Sequence, residues 1–175
     1  MTTIDKYISQ ALDAYPFDLV ETIESLDYAL SYDPNNAAAL CLYGRIYSEQ
    51  LPRYDLAINY FQQAISSDLH AVEVYPFFIQ ALILNEDFDE AQKLIEFALG
   101  VRGINKIDVL IKRAQLQEIS KDFEAVNLTL NEIESRLINS HYDDFIEETR
   151  KRIDKKSGVK EGKKIISKKK KSAKK

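Results

Sequence analysis

One cysteine, two histidines and no long apolar run among 175 residues exclude much before any motif is sought. Cys41 alone cannot close an intramolecular disulfide, and no basic segment followed by an apolar run and a small-residue cleavage site opens the chain. A reducing, cytoplasmic compartment is therefore expected. The most apolar window, Tyr75 to Leu84, is interrupted by Pro76 and Gln80 and falls short of the roughly 20 apolar residues that a membrane-spanning helix needs. Integral membrane association is not expected.

The same scarcity argues against catalysis. His70 and His141 are far apart and neither lies in a metal-spacing motif. His70 reads as a loop residue. Cys41, with only Arg45 as a nearby cation in sequence, reads as a small, partly buried apolar residue ahead of a reactive thiol. There is no phosphate-cradling glycine loop, zinc motif or hydrolase elbow. The acidic pairs Glu86-Asp87, Asp89-Glu90, Asp143-Asp144 and Glu147-Glu148 are adjacent. Adjacent carboxylates on a helix point in different directions, and no calcium-loop pattern surrounds them, so solvated helix ends explain them. No catalytic residue, metal or cofactor is expected, and the chain does not read as an enzyme.

Glycine and proline are also few, five and four, and apolar residues recur at helical spacing almost everywhere before residue 154. Breaks fall at Tyr15-Pro16, Asp33-Pro34-Asn35-Asn36, Leu51-Pro52-Arg53, Asp68-Leu69-His70, Asn85-Glu86-Asp87, Gly100 to Gly103, Ser120-Lys121 and Asn139-Ser140. They leave nine helices of roughly 12 to 17 residues. What is present, then, is a repeat. Ala57 and Ala64 recur as Ala91 and Ala98 at an offset of 34, and Tyr54 recurs as Phe88. Gly44, Ile79 and Ala114 follow one another at intervals of 35.

Leu40, Tyr43, Gly44 and Tyr47 on one helix, followed by Ala57, Phe61 and Ala64 on the next, form a large-small-aromatic pattern that resembles the tetratricopeptide repeat family. A second good repeat keeps Tyr75, Phe78, Leu82, Ala91, Ile95 and Ala98, with Ile79 in the small-residue position. Two outer repeats are degenerate: one keeps Leu26, Ala29 and Pro34, the other Leu110, Ala114, Phe123, Val126, Leu130 and Ile133. The resemblance covers roughly residues 3 to 138. It implies an all-α fold, a right-handed helical solenoid of about four helix pairs, with a capping helix from Ser140 to about Asp154. That helix would dock Tyr142, Phe145, Ile146 and Thr149 and turn Asp143, Asp144, Glu147, Glu148 and Arg150 to water.

Proteins of this family line a concave surface with exposed positions of each first helix. The matched positions here are Cys41, Arg45, Ser48, Phe77, Gln80, Ile111, Lys112, Gln115 and Glu118, a groove of mixed character. Where a lysine and asparagine clamp for chaperone tails would stand, the chain has Tyr7, Ala11, Ala38 and Leu42, so that partner is not expected.

Charge divides the chain in two. Residues 155–175 hold 11 lysines and one acid, a net +10, while residues 1–154 hold 13 basic and 27 acidic residues, a net −14. The tail, with too few apolar residues to offset ordering entropy, reads as disordered, and 1–154 as the folded repeat domain. Its candidate polyanion-binding residues are Lys163, Lys164, Lys168, Lys169, Lys170, Lys171, Lys174 and Lys175. Without aromatics, any nucleic-acid binding there would be phosphate-driven and sequence-blind. The sequence thus points to a protein-binding adaptor or scaffold, with a protein or peptide in the groove. The alternative is a nucleic-acid or ribosome-associated factor attached through the tail.

Overall fold

Side chains at the break points cap the helices they precede. Thr2 and Asp5 form a reciprocal capping box at the first helix, the Asp5 N–H donating to the Thr2 hydroxyl at 3.1 Å and the Thr2 N–H to the Asp5 carboxylate at 2.7 Å. Asp18, Asn36 and Asp122 cap the second, third and eighth helices by accepting the N–H groups of Glu21, Ala39 and Ala125. The computed structural model describes residues 2–158, and the candidate tail lysines from Lys163 to Lys175 lie outside them. Among the described residues the order is α1 (Thr3–Ala14), α2 (Leu19–Tyr32), α3 (Ala37–Arg45), a π-helical turn (Ile46–Gln50), α4 (Tyr54–Ser67), α5 (Val74–Leu84), α6 (Phe88–Gly100), α7 (Lys106–Ile119), α8 (Phe123–Arg136) and α9 (Asp143–Lys156). Among the described residues every regular element is helical, as expected; the π-helical turn is announced by no residue pattern. The last helix runs to Lys156, so Lys155 and Lys156 belong to α9 and not to the segment beyond it.

The chain divides into two compact units, Met1–Lys112 and Arg113–Lys175, the division falling within α7. In the first unit α1 packs on α2, α3 on α4 and α5 on α6, and the first helices also meet in succession, α1 with α3 and α3 with α5. Small residues set these approaches. A Cβ placed on Gly44 would lie 2.5 Å from the ring of Phe61, so the helix pair α3–α4 closes only because position 44 is glycine. Gly44, Ala57, Ala64 and Phe61 are all buried. One repeat later Ile79 stands for Gly44 and Ile95 for Phe61, both fully buried. The pair exchanges small plus large for two medium side chains, which is how the departure from the small-residue pattern is accommodated.

Larger side chains fill the space between pairs. Tyr43 and Tyr47 both stack on Tyr60, at centroid distances of 5.1 and 5.5 Å, and Phe61 stacks on Phe78 at 5.9 Å. Tyr75 is fully buried and donates its hydroxyl to the Leu69 carbonyl at 2.8 Å. The α5–α6 turn closes with Glu86 in the left-handed region, φ 63°, the Asp87 N–H returning to the Leu82 carbonyl at 2.9 Å.

The second unit is built differently. Val126, Thr129, Leu130 and Ile133 of α8 and Ile146, Thr149 and Ile153 of α9 are buried. Around them runs a lattice of charges. Arg113 pairs with Glu132, which also accepts from Arg136 at 2.9 Å, and donates to Thr129 at 3.2 Å. Glu118 accepts from Arg152 at 2.7 and 2.8 Å and from Lys156 at 2.8 Å. Arg150, expected on the water side of α9, instead donates to Asn131 and Glu134. The α7–α8 turn repeats the backbone of α5–α6 35 residues on, with Lys121 at φ 61° and the Asp122 N–H on the Gln117 carbonyl at 3.0 Å.

Candidate functional site

The first-helix face of the first unit starts at Arg45, the last residue of α3. Its guanidinium lies 4.8 Å from the ring centroid of Tyr15 and 4.5 Å from that of Phe77, a cation held between aromatic groups from two other repeats. Glu49, carried by the π-helical turn, fixes it from the side, accepting from Arg45 Nε at 3.2 Å and from the Tyr15 hydroxyl at 2.5 Å. Burial, and then that hydrogen bond, raise the Tyr15 pKa. The extra residue that the π-helical turn packs into the helix end is what carries Glu49 to this place.

Beyond Phe77 the face opens into a cleft of about 530 Å³ between α5 and α7. Val72, Pro76, Phe77, Ile104 and Ile111 give it an apolar floor. Glu73, Asp108 and Lys112 stand among its lining residues. Gly103, at φ 89°, makes the turn that leads into α7, a backbone conformation that side chains rarely adopt. Asn105 then braces Asp108, its amide donating to the carboxylate at 2.8 Å while its own carbonyl caps Ile107. Lys112 is held inward, Nζ donating to Gln80 Oε1 at 2.8 Å. Burial lowers the Lys112 pKa, and the carboxylates of Asp108 and Glu49 act against that.

Of the expected groove residues, Arg45, Phe77, Gln80, Ile111 and Lys112 come together here. Cys41 is only 5% exposed and burial pushes its pKa up to about 12; the charges of Arg45, Glu73 and Glu49 also act on it, so it lies beneath this face without being open to it. Ser48 is half-buried and donates to the Arg45 carbonyl at 3.3 Å, a contact within its own helix end. Glu118 belongs to the second unit, where Arg152 and Lys156 occupy it, and Gln115 lies in that unit as well. Ala11 and Leu42, considered as clamp positions, are buried. Sequence reasoning passed over Tyr15, Glu49, Glu73 and Asp108. No residue pattern singles out Tyr15 and Glu49, since their separation of 34 residues is shared by Glu118 and Arg152.

A second cleft, of about 480 Å³, lies on the second-helix side, where Ile58 and Ile65 of α4 face Leu94 and Phe97 of α6 over Phe78 and Leu82. Among the described residues no group of three or more His, Cys, Asp or Glu could hold a metal ion. No described helix is long and apolar enough to cross a membrane.

No family model matches the sequence, and no curated protein is significantly similar to it. Solved structures are. A structure of MamA AMB-1 superposes with a TM-score of 0.59 at 22% identity, covering 76% of this chain and 72% of that one. A structure of a MamA mutant gives 0.57 at 22% identity over 77% of each chain. These likenesses establish the fold, an all-helical, tetratricopeptide-like helical repeat.

Proposed function

We propose that the chain is a protein-binding adaptor whose docking surface is the first-helix face of residues 1–112. The observation that carries the reading is the cleft between α5 and α7, with five apolar side chains on its floor and charged groups around it. An apolar depression with a few placed polar groups is the usual form of a recognition site. The Tyr15–Arg45–Phe77 stack contributes rigidity, so a bound segment would meet a surface already ordered.

Photocrosslinking tests the reading. A photoreactive residue at Ile111, in the cleft, and another at Ser66, exposed on α4, are compared in the native cell extract. Polypeptide adducts should form at position 111 and be scarce at 66. Equal adducts at both positions, or none at either, overturn it.

A further inference from the structure

The charged groups around the cleft are unequally engaged. Residues 1–112 hold 17 acidic and 7 basic residues, a net −10, so the field over the unit favours an approaching cation. Of the cations near the cleft, Arg102 and Lys106 are exposed beside its lining, while Arg45 and Lys112 are already engaged within the protein. Arg45 is stacked between two rings and paired with Glu49. Lys112 is tied to Gln80, and burial lowers its pKa. Neither is placed to receive an incoming carboxylate without first giving up those contacts. Glu73 is the opposite case: it is exposed at the start of α5, lines the cleft, and has no ion pair among the described residues. Glu73 stands at the N-terminus of α5 and makes no capping hydrogen bond there, so its carboxylate is open to a ligand. Below it the floor of Val72, Pro76, Phe77, Ile104 and Ile111 offers room for branched aliphatic side chains and no buried polar group to satisfy.

Resting on the docking surface proposed above, we infer that the cleft selects a basic-aliphatic linear peptide. Its aliphatic side chain sits on the floor while a neighbouring Lys or Arg meets Glu73. Apolar burial provides the affinity, and the charge contact provides the discrimination, since a like charge placed opposite Glu73 would be repelled at the moment of desolvation. The pairing is at the rim of the cleft, so it is sensitive to ionic strength.

The test uses the full chain and three labelled synthetic peptides, read by fluorescence anisotropy: one with a Lys-Ile-Ile-Lys core, one with Glu-Ile-Ile-Glu and one with Lys-Ser-Ser-Lys. The basic-aliphatic peptide should bind about tenfold or more tightly than either of the others, and more weakly as salt is raised. Glu73→Lys should weaken it by about tenfold and strengthen the Glu-Ile-Ile-Glu peptide, an inversion that a merely structural effect would not give. Circular dichroism confirms that each variant keeps its helices. Failure of the basic-aliphatic peptide to bind, or absence of inversion in Glu73→Lys, overturns the inference. The docking surface itself is tested separately by Ile111→Ser. If acidic and basic peptides bind alike and both are lost in that variant, the surface stands and its charge selectivity falls. If no peptide responds to Ile111→Ser, both fall.

Discussion

In residues 1–112 a glycine lies against a phenylalanine ring, Gly44 on Phe61, and tyrosines stack nearby. In residues 113–158 the buried apolar residues are supplemented by arginines and glutamates, with Arg113, Glu118, Glu132, Arg150 and Arg152 joining helices over sequence separations of 16 to 34 residues. The net charges differ accordingly, −10 for the first unit and −2 for the described part of the second. Shape complementarity leaves charge unspent at the surface, where a partner can use it. Ion-pair stitching consumes charge internally. A docking surface with an uncompensated field is thus a property of the first unit.

The largest effect expected from this contrast is in the aromatic core. Phe61→Ala removes the ring that fits Gly44 and should destabilise the first unit by ~3–5 kcal/mol, read as faster hydrogen exchange throughout α3 and α4. A loss under about 1 kcal/mol would show that shape does not hold this unit.

Next comes the Glu118 junction. Arg152 first, and Lys156 with it, lower its pKa from 4.5 to about 2, although partial burial acts in the other direction. The carboxylate is therefore stabilising at full strength above pH about 4.5, and that contribution disappears as pH falls towards about 2. Arg152 and Lys156 are half exposed and screened by solvent, so the contribution is ~1–2 kcal/mol. Glu118→Gln should cost this amount at neutral pH and flatten the acid side of the stability profile for α8 and α9. An unchanged profile would remove charge as the account of the second unit.

Salt sharpens the comparison further. At about 1 M salt the screening length contracts to roughly 3 Å, and the exchange protection of α9 should fall while that of α3–α4 holds. Equal responses would erase the distinction. The smallest effects are at the two left-handed turns. Glu86→Gly and Lys121→Gly relieve the same backbone conformation in different units and should each stabilise by no more than about 1 kcal/mol, measured as a rise in melting temperature. Destabilisation in either would mean that the side chain contributes more than the backbone costs.

These differences also explain what could be read in advance. Gly44, Ala57, Phe61 and Ala64 were visible because close packing constrains residue size at fixed offsets, and size leaves a period in the sequence. Ion pairs leave none: nothing near Arg152 names Glu118 as its partner, and Glu118 therefore passed for a groove residue. Helical spacing puts Cys41 on the groove face but cannot show that it is covered, and α3 is buried on nearly every side from Ala39 to Gly44. The π-helical turn was invisible since widening a helix by one residue does not alter composition, yet it carries Glu49 to Arg45 and Tyr15. Phe77, Gln80, Ile111 and Lys112 were found because they lie on regular helices where the period holds.

The burial of Cys41 has a use in the laboratory. It is the chain's single thiol, and with its pKa near 12 almost none of it is the reactive thiolate at neutral pH while α3 is closed. Alkylation must then wait for the helix to open, and each molecule can gain one adduct at most. The rate at which intact mass steps up by one label becomes a clock for openings of the first unit, with no engineered probe. Occupancy of the cleft should slow that clock by the fraction of molecules bound, so ligand binding could be timed from a residue the ligand never touches.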